Sequence, residues 1–469
     1  MTFLYNKNVN VQNNSVVVTT ANPFPVTAVG DGLQVDGISP DAFGRTRVSE
    51  LFTLGDYKHI YAIDPNFLNS TGNGGTVTYQ TNKASANLAV TSTASSYAVH
   101  QTKSYHHYQP GKSQMIFSSV CFGFPQQNVT KRTGYFDDRD GIYFEQVGSN
   151  TADGTNQNNG TQTLNFVIRT YTSGSVDEST INTTVNGQAY TYKRRIPQSE
   201  WNVDKCDGTG ISGFKIDMSK TQLIYIDFQW LGVGRARVGF VHDGKVIIAH
   251  EYYNSNVLSE PYMANPNLPV RCEIRSTGTT TGGSMLQICA HVGSEGGYAE
   301  NGIDYAIIQE KRTVGTTLFP VLAIRLKSSF GGYPNRISVR MNSLSLSVET
   351  NTIIYEIVKI PNATTYLSNN TTSLTWTSAA TNSGVEYCIN ADAYTDGEVL
   401  YSGFVPAGSS QNSLSPVSSS SLTGAKKNVI VQNFDSTDSE VYVIACRTLT
   451  TSGNPSASVA AAVQWREIY

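Results

Sequence analysis

Four acidic residues lie close together in one short stretch of the chain: Asp137, Asp138, Asp140 and Glu145. Glycoside hydrolysis requires two carboxyl groups flanking the glycosidic bond, about 5–9 Å apart. Here the acids crowd around Asp140 and Gly141, a turn signal between two strand-like runs, where Asp side chains commonly bond nearby backbone amides. The pattern therefore favours a solvated hairpin turn over a hydrolytic acid pair.

The same turn contains a weak calcium candidate, Asp138 and Asp140, because Ca²⁺ takes about six to eight oxygen ligands. Arg139 lies between the two carboxylates and interrupts their negative field. The helices that would flank a helix-loop-helix calcium loop are also missing. We therefore expect no metal site and no cofactor.

Other patterns that could carry chemistry are incomplete. Gly111, Lys112 and Ser113 end like a phosphate-binding loop, but His106 stands where the earlier glycine is required. His106 and His107 are adjacent on a strand and point to opposite faces, so they cannot easily share a metal ion. No serine or cysteine nucleophile lies in a recognisable elbow, so we predict no catalytic triad and no enzymatic activity.

Tyrosine and arginine residues are the candidates for binding. The chain has 26 tyrosines, and tyrosine can stack on sugars or anchor a protein interface. For the arginines, pairing with Asp227 or Gln229 across the sheet is the common outcome, and contact with an acidic partner is the alternative. The candidate residues for binding a partner or a glycan are Tyr252, Tyr253, Tyr262, Tyr298, Arg235 and Arg237.

The elements that must position these residues are β-strands. Residues 222–230 alternate between apolar and polar side chains, which is typical of a strand that covers a core. Asp243 and Gly244 separate two alternating runs and predict a hairpin. No segment shows convincing helical periodicity. Many short strands with glycine and asparagine turns predict an all-β jelly roll or β-sandwich.

Three regions follow from shifts in composition along the chain. Residues 1–50 are predicted to form an extended N-terminal arm with a docking motif. Residues 51–345 are predicted to form the jelly-roll β-sandwich, and 346–469 a smaller C-terminal β-domain. The arm either adds strands to a neighbouring subunit or is a floppy tail, and the sequence leaves both open.

The overall composition suits an assembly subunit. Charged residues make up 15% of the chain and the net charge is −3, against roughly 25% charged residues in a typical soluble protein. Uncharged polar surface costs less to desolvate than ions, although a secreted β-protein remains an alternative. The only short basic cluster is Lys193, Arg194 and Arg195, which is interpreted as a solvated strand end or loop, and no apolar run approaches about 18 residues. We therefore expect no nucleic-acid partner and no membrane insertion. No signal peptide is predicted, which places synthesis in a cytoplasm.

Six blocks of residues occur in order along the chain: 41–49, 108–114, 134–145, 201–205, 230–235 and 266–271. They resemble virion structural proteins of tailed bacteriophages, especially those of cyanobacterial and other aquatic phages, over roughly residues 41–300. The strand pattern also resembles the concanavalin-type jelly roll of lectins and some glycanases. The stretch after residue 345 carries no such motif.

The resemblance implies a non-enzymatic structural component of the virion: a fibre, a tail or neck protein, or a capsid decoration. Its partners would be other virion proteins and copies of itself, and a trimer would suit a fibre or a decoration. One alternative is a receptor-recognition module that binds a host surface glycan. A second alternative is a glycan depolymerase.

Deletion of residues 1–40 tests the predicted arm. We expect the shortened chain to fold but not to enter particles, because it would lose the strands it adds to a neighbour. Particle incorporation is measured by mass spectrometry of purified particles, with folding checked by circular dichroism. Normal incorporation of the shortened chain would contradict the arm hypothesis.

Overall fold

The computed structural model describes residues 51–149, 161–299, 301–408, 429–453 and 455–469. The predicted arm, residues 1–50, lies outside the described residues. Within the described ranges, no helix has both the length and the apolar character needed to cross a membrane. The helical segments there are one α-helical turn, α1 (Ala363–Tyr366), and two short 3₁₀ segments, Thr81–Lys83 and Gln198–Glu200.

The first half of the described chain folds into 17 strands. Their bounds are β1 Phe52–Lys58, β2 Phe67–Gly72, β3 Thr76–Gln80, β4 Ser85–Val90, β5 Tyr97–Thr102, β6 Ser113–Cys121, β7 Val129–Phe136, β8 Gly141–Ser149, β9 Thr161–Arg169, β10 Thr180–Val185, β11 Gln188–Lys193, β12 Arg195–Pro197, β13 Gln222–Phe228, β14 Ala236–His242, β15 Lys245–Tyr252, β16 Val270–Ser276 and β17 Gly283–Glu295.

These strands form a sandwich of two antiparallel sheets. One sheet has the order β15-β14-β13-β6-β17-β4-β3, with β1 also paired to β17. The other has the order β12-β9-β8-β7-β16-β5-β2, and β10 and β11 form a separate hairpin. Several neighbours in the sheets are far apart in sequence, such as β6 with β13 and with β17, as in a jelly roll. The prediction of an all-β, jelly-roll or sandwich fold is confirmed.

Alternation along β13 determines which of its side chains face the core. Ile224, Ile226 and Phe228 point into the core between the sheets. That core also contains a cluster of aromatic rings, in which the Phe166 and Trp201 centroids are 5.0 Å apart. Each fully buried large apolar side chain contributes about 1.5–3 kcal/mol relative to exposure.

The predicted hairpin at Asp243 and Gly244 is confirmed. His242 pairs with Lys245, and the two residues between them have positive φ angles of 49° and 73°. A two-residue turn of this kind matches the twist of the flanking strands, and Asp-Gly tolerates the left-handed backbone it requires.

The second half of the described chain folds into 14 further strands. Their bounds are β18 Ile303–Val314, β19 Phe319–Leu326, β20 Ser329–Phe330, β21 Tyr333–Pro334, β22 Ser338–Glu349, β23 Ile353–Ile360, β24 Leu367–Ser368, β25 Trp376–Ser378, β26 Val385–Cys388, β27 Ala393–Tyr394, β28 Glu398–Val405, β29 Val429–Ile430, β30 Val441–Thr448 and β31 Ala457–Ile468. The main sheets have the orders β18-β31-β22-β29 and β25-β26-β19-β30-β23-β28.

The boundary between the two sandwiches differs from the predicted position at residue 345. The first core extends to Val292 and the second begins at Ile307. The reason is long-range pairing, since Ile307 lies beside Val463 in the four-stranded sheet. Such pairing over more than a hundred residues leaves no mark on local composition.

Trp465→Ala tests whether the second sandwich has its own core. Trp465 is buried there and its indole N–H donates to Glu467 Oε1 at 2.9 Å. We expect a loss of about 3–5 kcal/mol, because truncating a buried tryptophan leaves a cavity. Hydrogen exchange should accelerate in β22 and β31 and stay unchanged in β13 and β14. Gln464→Ala, on the exposed face of the same strand, is the control. Equal acceleration in both sandwiches would contradict separate cores.

Candidate functional site in the cleft between the sandwiches

The acidic stretch 137–140 forms the turn between β7 and β8. Asp137 Oδ1 accepts hydrogen bonds from the backbone N–H groups of Arg139 and Asp140, at 2.8 and 2.9 Å. The Asp137 N–H in turn donates to the Asp140 carbonyl at 2.9 Å. The prediction that an aspartate in this turn bonds nearby backbone amides is therefore confirmed for Asp137.

Asp140 is not solvated as the sequence suggested, because it is only 3% exposed. Its Oδ1 accepts the backbone N–H groups of Ala264 and Tyr171, at 2.7 and 3.2 Å. Burial raises the pKa of Asp140 to about 6, and the nearby Asp137 carboxylate adds to that rise. The side chain thus ties two loops to the turn.

Asp138 and Glu145 are held by arginines in different places. Asp138 pairs with Arg271 at 2.8 Å. Glu145 is buried on β8, where it pairs with Arg195 and, at 2.7 Å, with Arg132. The two weak calcium candidates, Asp138 and Asp140, have separate partners. Among the residues that the structure describes, no group of three or more His, Cys, Asp or Glu is placed to hold a metal ion.

The acidic turn borders a cleft of about 490 Å³ between the two sandwiches. The first sandwich contributes Gln101, Tyr105, residues 137–140, Tyr171, Ala264 and Asn265. The second contributes Tyr333, Pro334, Arg336, Phe434, Asp435 and Ser436. Small-molecule sites commonly have volumes of about 300–1,000 Å³ and mix aromatic walls with a few polar groups. The cleft meets both criteria.

Arginine–aromatic contacts join the two sandwiches around this cleft. The Arg139 guanidinium lies 4.6 Å from the ring centroid of Tyr171 and 5.5 Å from that of Tyr333. From the opposite sandwich, Arg336 lies 5.0 Å from the Tyr105 centroid. Such contacts are worth about 0.5–2 kcal/mol each, more where water is excluded. Arginines of both sandwiches therefore hold the aromatic walls of the cleft in place.

Hydrogen bonds and an ion pair reinforce the junction. Arg336 donates to the carbonyl oxygens of Asn433 and Phe434, both at 3.0 Å. Lys103 of the first sandwich pairs with Glu440 of the second at 3.0 Å. These bonds fix the loop that carries Phe434 against the first sandwich.

The tyrosines named from sequence do not line the cleft. Tyr252 and Tyr262 are 2% and 0% exposed and pack in the first core, so their side chains cannot contact a partner, and burial raises the pKa of both. This corrects the prediction for those two. Tyr253 is 52% exposed and donates to Glu251. Tyr298 is half-buried and stacks on Phe52 at 5.2 Å.

The two arginines named from sequence have partners within the sheet. Arg237 is buried and pairs with Asp227, its direct neighbour on β13. Arg235 lies 3.4 Å from Glu251. The expected cross-strand pairing is confirmed for Arg237, and neither arginine lines the cleft.

The sequence reasoning missed Tyr171, Tyr333, Arg336 and Phe434 as members of a site. The acidic turn was singled out, but only as a source of catalytic or calcium-binding carboxylates. Arg139 was seen as a residue that weakens a metal site, whereas in the structure it connects aromatic rings of both sandwiches. No local pattern marks the other residues, because the cleft exists only after the sandwiches pack together.

No protein-family model matches this chain, and no curated protein matches its sequence. Among solved structures it is similar to a β-1,3-glucanase from Mycobacterium marinum (11% identity, 51% of this chain, 98% of that chain, TM-score 0.30). It is also similar to the carbohydrate recognition domain of Emp47p (12%, 53%, 98%, 0.29). A third is the CBM2 module of the evolved Dit of Lactobacillus casei BL23 phage J-1 (8%, 53%, 99%, 0.32). Similarity at this level concerns the β-sandwich fold alone.

Asp140→Asn tests the buried carboxyl group. Because its folded pKa lies above the ordinary 3.8, Asp140 contributes stability that is full below about pH 4 and lost as pH rises through about 6. Asparagine keeps an Oδ1 acceptor but does not ionise. Relative to the native chain, we expect the unfolding free energy of Asp140→Asn to rise by about 2 kcal/mol between about pH 4 and pH 7.

The measurement is urea denaturation of both chains across that pH range. Asp243→Asn, in the exposed hairpin turn, is the control and should show a much smaller pH-dependent difference. A constant difference between Asp140→Asn and the native chain at every pH would show that burial does not govern the Asp140 carboxyl group.

Proposed function

We propose that this chain is a non-enzymatic structural component of a tailed-phage particle, where it packs beside other particle proteins and copies of itself. The observation that carries the proposal is that the carboxyl groups lining the cleft are bonded to an arginine or to backbone N–H groups. Each of the four carboxyl groups in the described lining has such a partner, which favours support of the fold over acid–base chemistry.

The carboxyl groups around the cleft have structural partners. Asp137 accepts two amides of its own turn, and Asp138 pairs with buried Arg271. Asp435 Oδ1 accepts from the Thr437 N–H and hydroxyl, at 3.2 and 2.7 Å. Asp140 has the raised pKa that a general acid needs, but it is buried with its Oδ1 bonded to two loop amides. These bonds favour a role for the four carboxyl groups in holding the fold together over a role in glycoside hydrolysis.

One face of the second sandwich is suited to being covered by a neighbour. Ser345 and Ser347 on β22 lie beside Ala462 and Ala460 on β31, with the alternate residues of both strands in the core. Beside them on the edge strand β18, Ile308 is 79% exposed. Small uncharged side chains lose little hydration when another protein covers them. The resemblance of residues 41–300 to phage virion proteins supports the same role.

Analysis of purified particles tests the proposal. We expect peptides of this chain at a fixed ratio to the major particle proteins, and density for its two sandwiches in particle reconstructions. Ser345→Arg should reduce incorporation, because it adds a charge to a face that would be covered. Thr184→Arg, on the exposed β10–β11 hairpin, is the control and should incorporate normally.

Two results would contradict the proposal. One is that the chain is missing from particles produced in infected cells that contain it. The other is depolymerase activity of the purified chain on a bacterial polysaccharide that is lost in Asp138→Asn or Glu145→Gln, since that would make the chain an enzyme.

A further inference from the structure

The cleft between the sandwiches has features that its structural role does not require. Tyr333 is 60% exposed at its edge, although a large aromatic side chain gains stability from burial. It lies on β21, paired with Phe330 on β20. The turn between them is Gly331-Gly332, with φ angles of 60° and 84°. A tight hairpin of this kind presents the ring in a defined position.

A second aromatic ring is presented from the other side. Tyr171 belongs to the first sandwich, and Arg139 contacts the rings of both Tyr171 and Tyr333. Phe434 adds a third aromatic wall, held by the bond between its carbonyl and Arg336. The rings come from three separate segments, and each is fixed by an arginine. A ligand would therefore meet aromatic surfaces that are already in position.

Hydrogen-bonding groups lie between these rings. Asp137, Asp138 and Asp435 use Oδ1 for the structural bonds described above, and each carboxylate has a second oxygen that can accept a hydrogen bond. Asn265 and Ser436 also line the cleft. Carboxylate oxygens are strong acceptors for hydroxyl groups. The cleft thus combines apolar ring faces with several acceptors.

We infer that the cleft binds a neutral saccharide. A sugar ring has apolar C–H faces, which can pack on tyrosine and phenylalanine rings, and a rim of hydroxyl groups, which can donate to carboxylates. The lining contains four aspartates and two arginines, Arg139 and Arg336, and the buried Arg271 balances Asp138, so one negative charge remains in excess. This excess of negative charge disfavours saccharides that carry carboxylate, sulfate or phosphate groups. Binding goes beyond the proposed structural role and leaves it unchanged.

Because both sandwiches line the cleft, the saccharide would contact both. Lining residues of the first sandwich form one wall of the cleft, and lining residues of the second sandwich form the other. Binding would then stabilise the junction in proportion to saccharide concentration, as for any ligand that binds only the folded arrangement. The stability of the purified chain at increasing saccharide concentration therefore reports binding without any phage particle.

The experiment begins with the purified native chain on an array of neutral and acidic bacterial oligosaccharides. We expect signals confined to neutral oligosaccharides. The strongest neutral oligosaccharide on the array is then titrated calorimetrically into the native chain. In its presence, hydrogen exchange should slow around residue 171 and around residue 434. An array without neutral signals, or with acidic oligosaccharides preferred, would overturn the inference.

Variants locate the site. Tyr333→Ala removes an exposed ring, so the fold should persist, and we expect at least a tenfold loss of affinity for that oligosaccharide, or about 1.4 kcal/mol. Tyr253→Ala is the matched control, since it removes another exposed tyrosine outside the cleft, and its affinity should equal that of the native chain. Native affinity in Tyr333→Ala, or an equal loss in both variants, would overturn the assignment to the cleft.

Incorporation of Tyr333→Ala into particles separates this inference from the proposed function. Normal incorporation together with lost saccharide binding supports both. Absence of the native chain from particles, with saccharide binding intact, would overturn the structural role alone.

Discussion

The junction of the two sandwiches depends on one buried guanidinium. Arg271 is fully enclosed on β16, where its Nη2 contacts Glu273 at 2.6 Å and Asp138 at 2.8 Å. Its guanidinium also lies 5.3 Å from the ring centroid of Phe136 and 5.5 Å from that of Phe434. A buried charge is tolerated only with its partners in place, and removing one partner typically costs about 3–5 kcal/mol. Arg271 therefore couples the sheet that contains β16, the acidic turn and a loop of the second sandwich.

The contacts of Arg271 give the acidic turn, residues 137–140, a structural role that the sequence did not indicate. In sequence the carboxylates at 137–140 resemble a reactive cluster, whereas in the structure Asp138 balances Arg271 and Asp140 holds two loops. The same bonds position Arg139 between the rings of Tyr171 and Tyr333. A turn that is rigid for structural reasons thereby builds one wall of a cleft. The residues that support the junction thus also line the cleft, and the acids alone reveal neither arrangement.

Local sequence patterns predicted the strands and turns that depend on residues close together in the chain. Alternation along residues 222–230 predicted strand β13, and the Asp243–Gly244 pair predicted the hairpin between β14 and β15, because both depend on near neighbours. Burial of tyrosines was not predictable in this way. A tyrosine suits a core as well as a surface, and Tyr252 and Tyr262 lie in the core. Strand pattern alone would also place Cys289, on β17, in the core as a small apolar side chain, but it is exposed. The domain boundary and the cleft depend on contacts between distant segments, which no single stretch encodes.

The positions of the charged residues reduce the charge at the surface further. Only 15% of the chain is charged, and part of that charge is internal. The pairs Arg237 with Asp227 and Arg271 with Glu273 are buried within the sheets, as is the Glu145 carboxylate between two arginines. The charge left at the surface is thus lower than the composition implies. A neighbouring protein that covers such a surface displaces few ion hydration shells, so contact requires little compensating energy. Because part of the charge is paired internally, the surface carries less charge, and this supports the proposal that neighbouring proteins cover it.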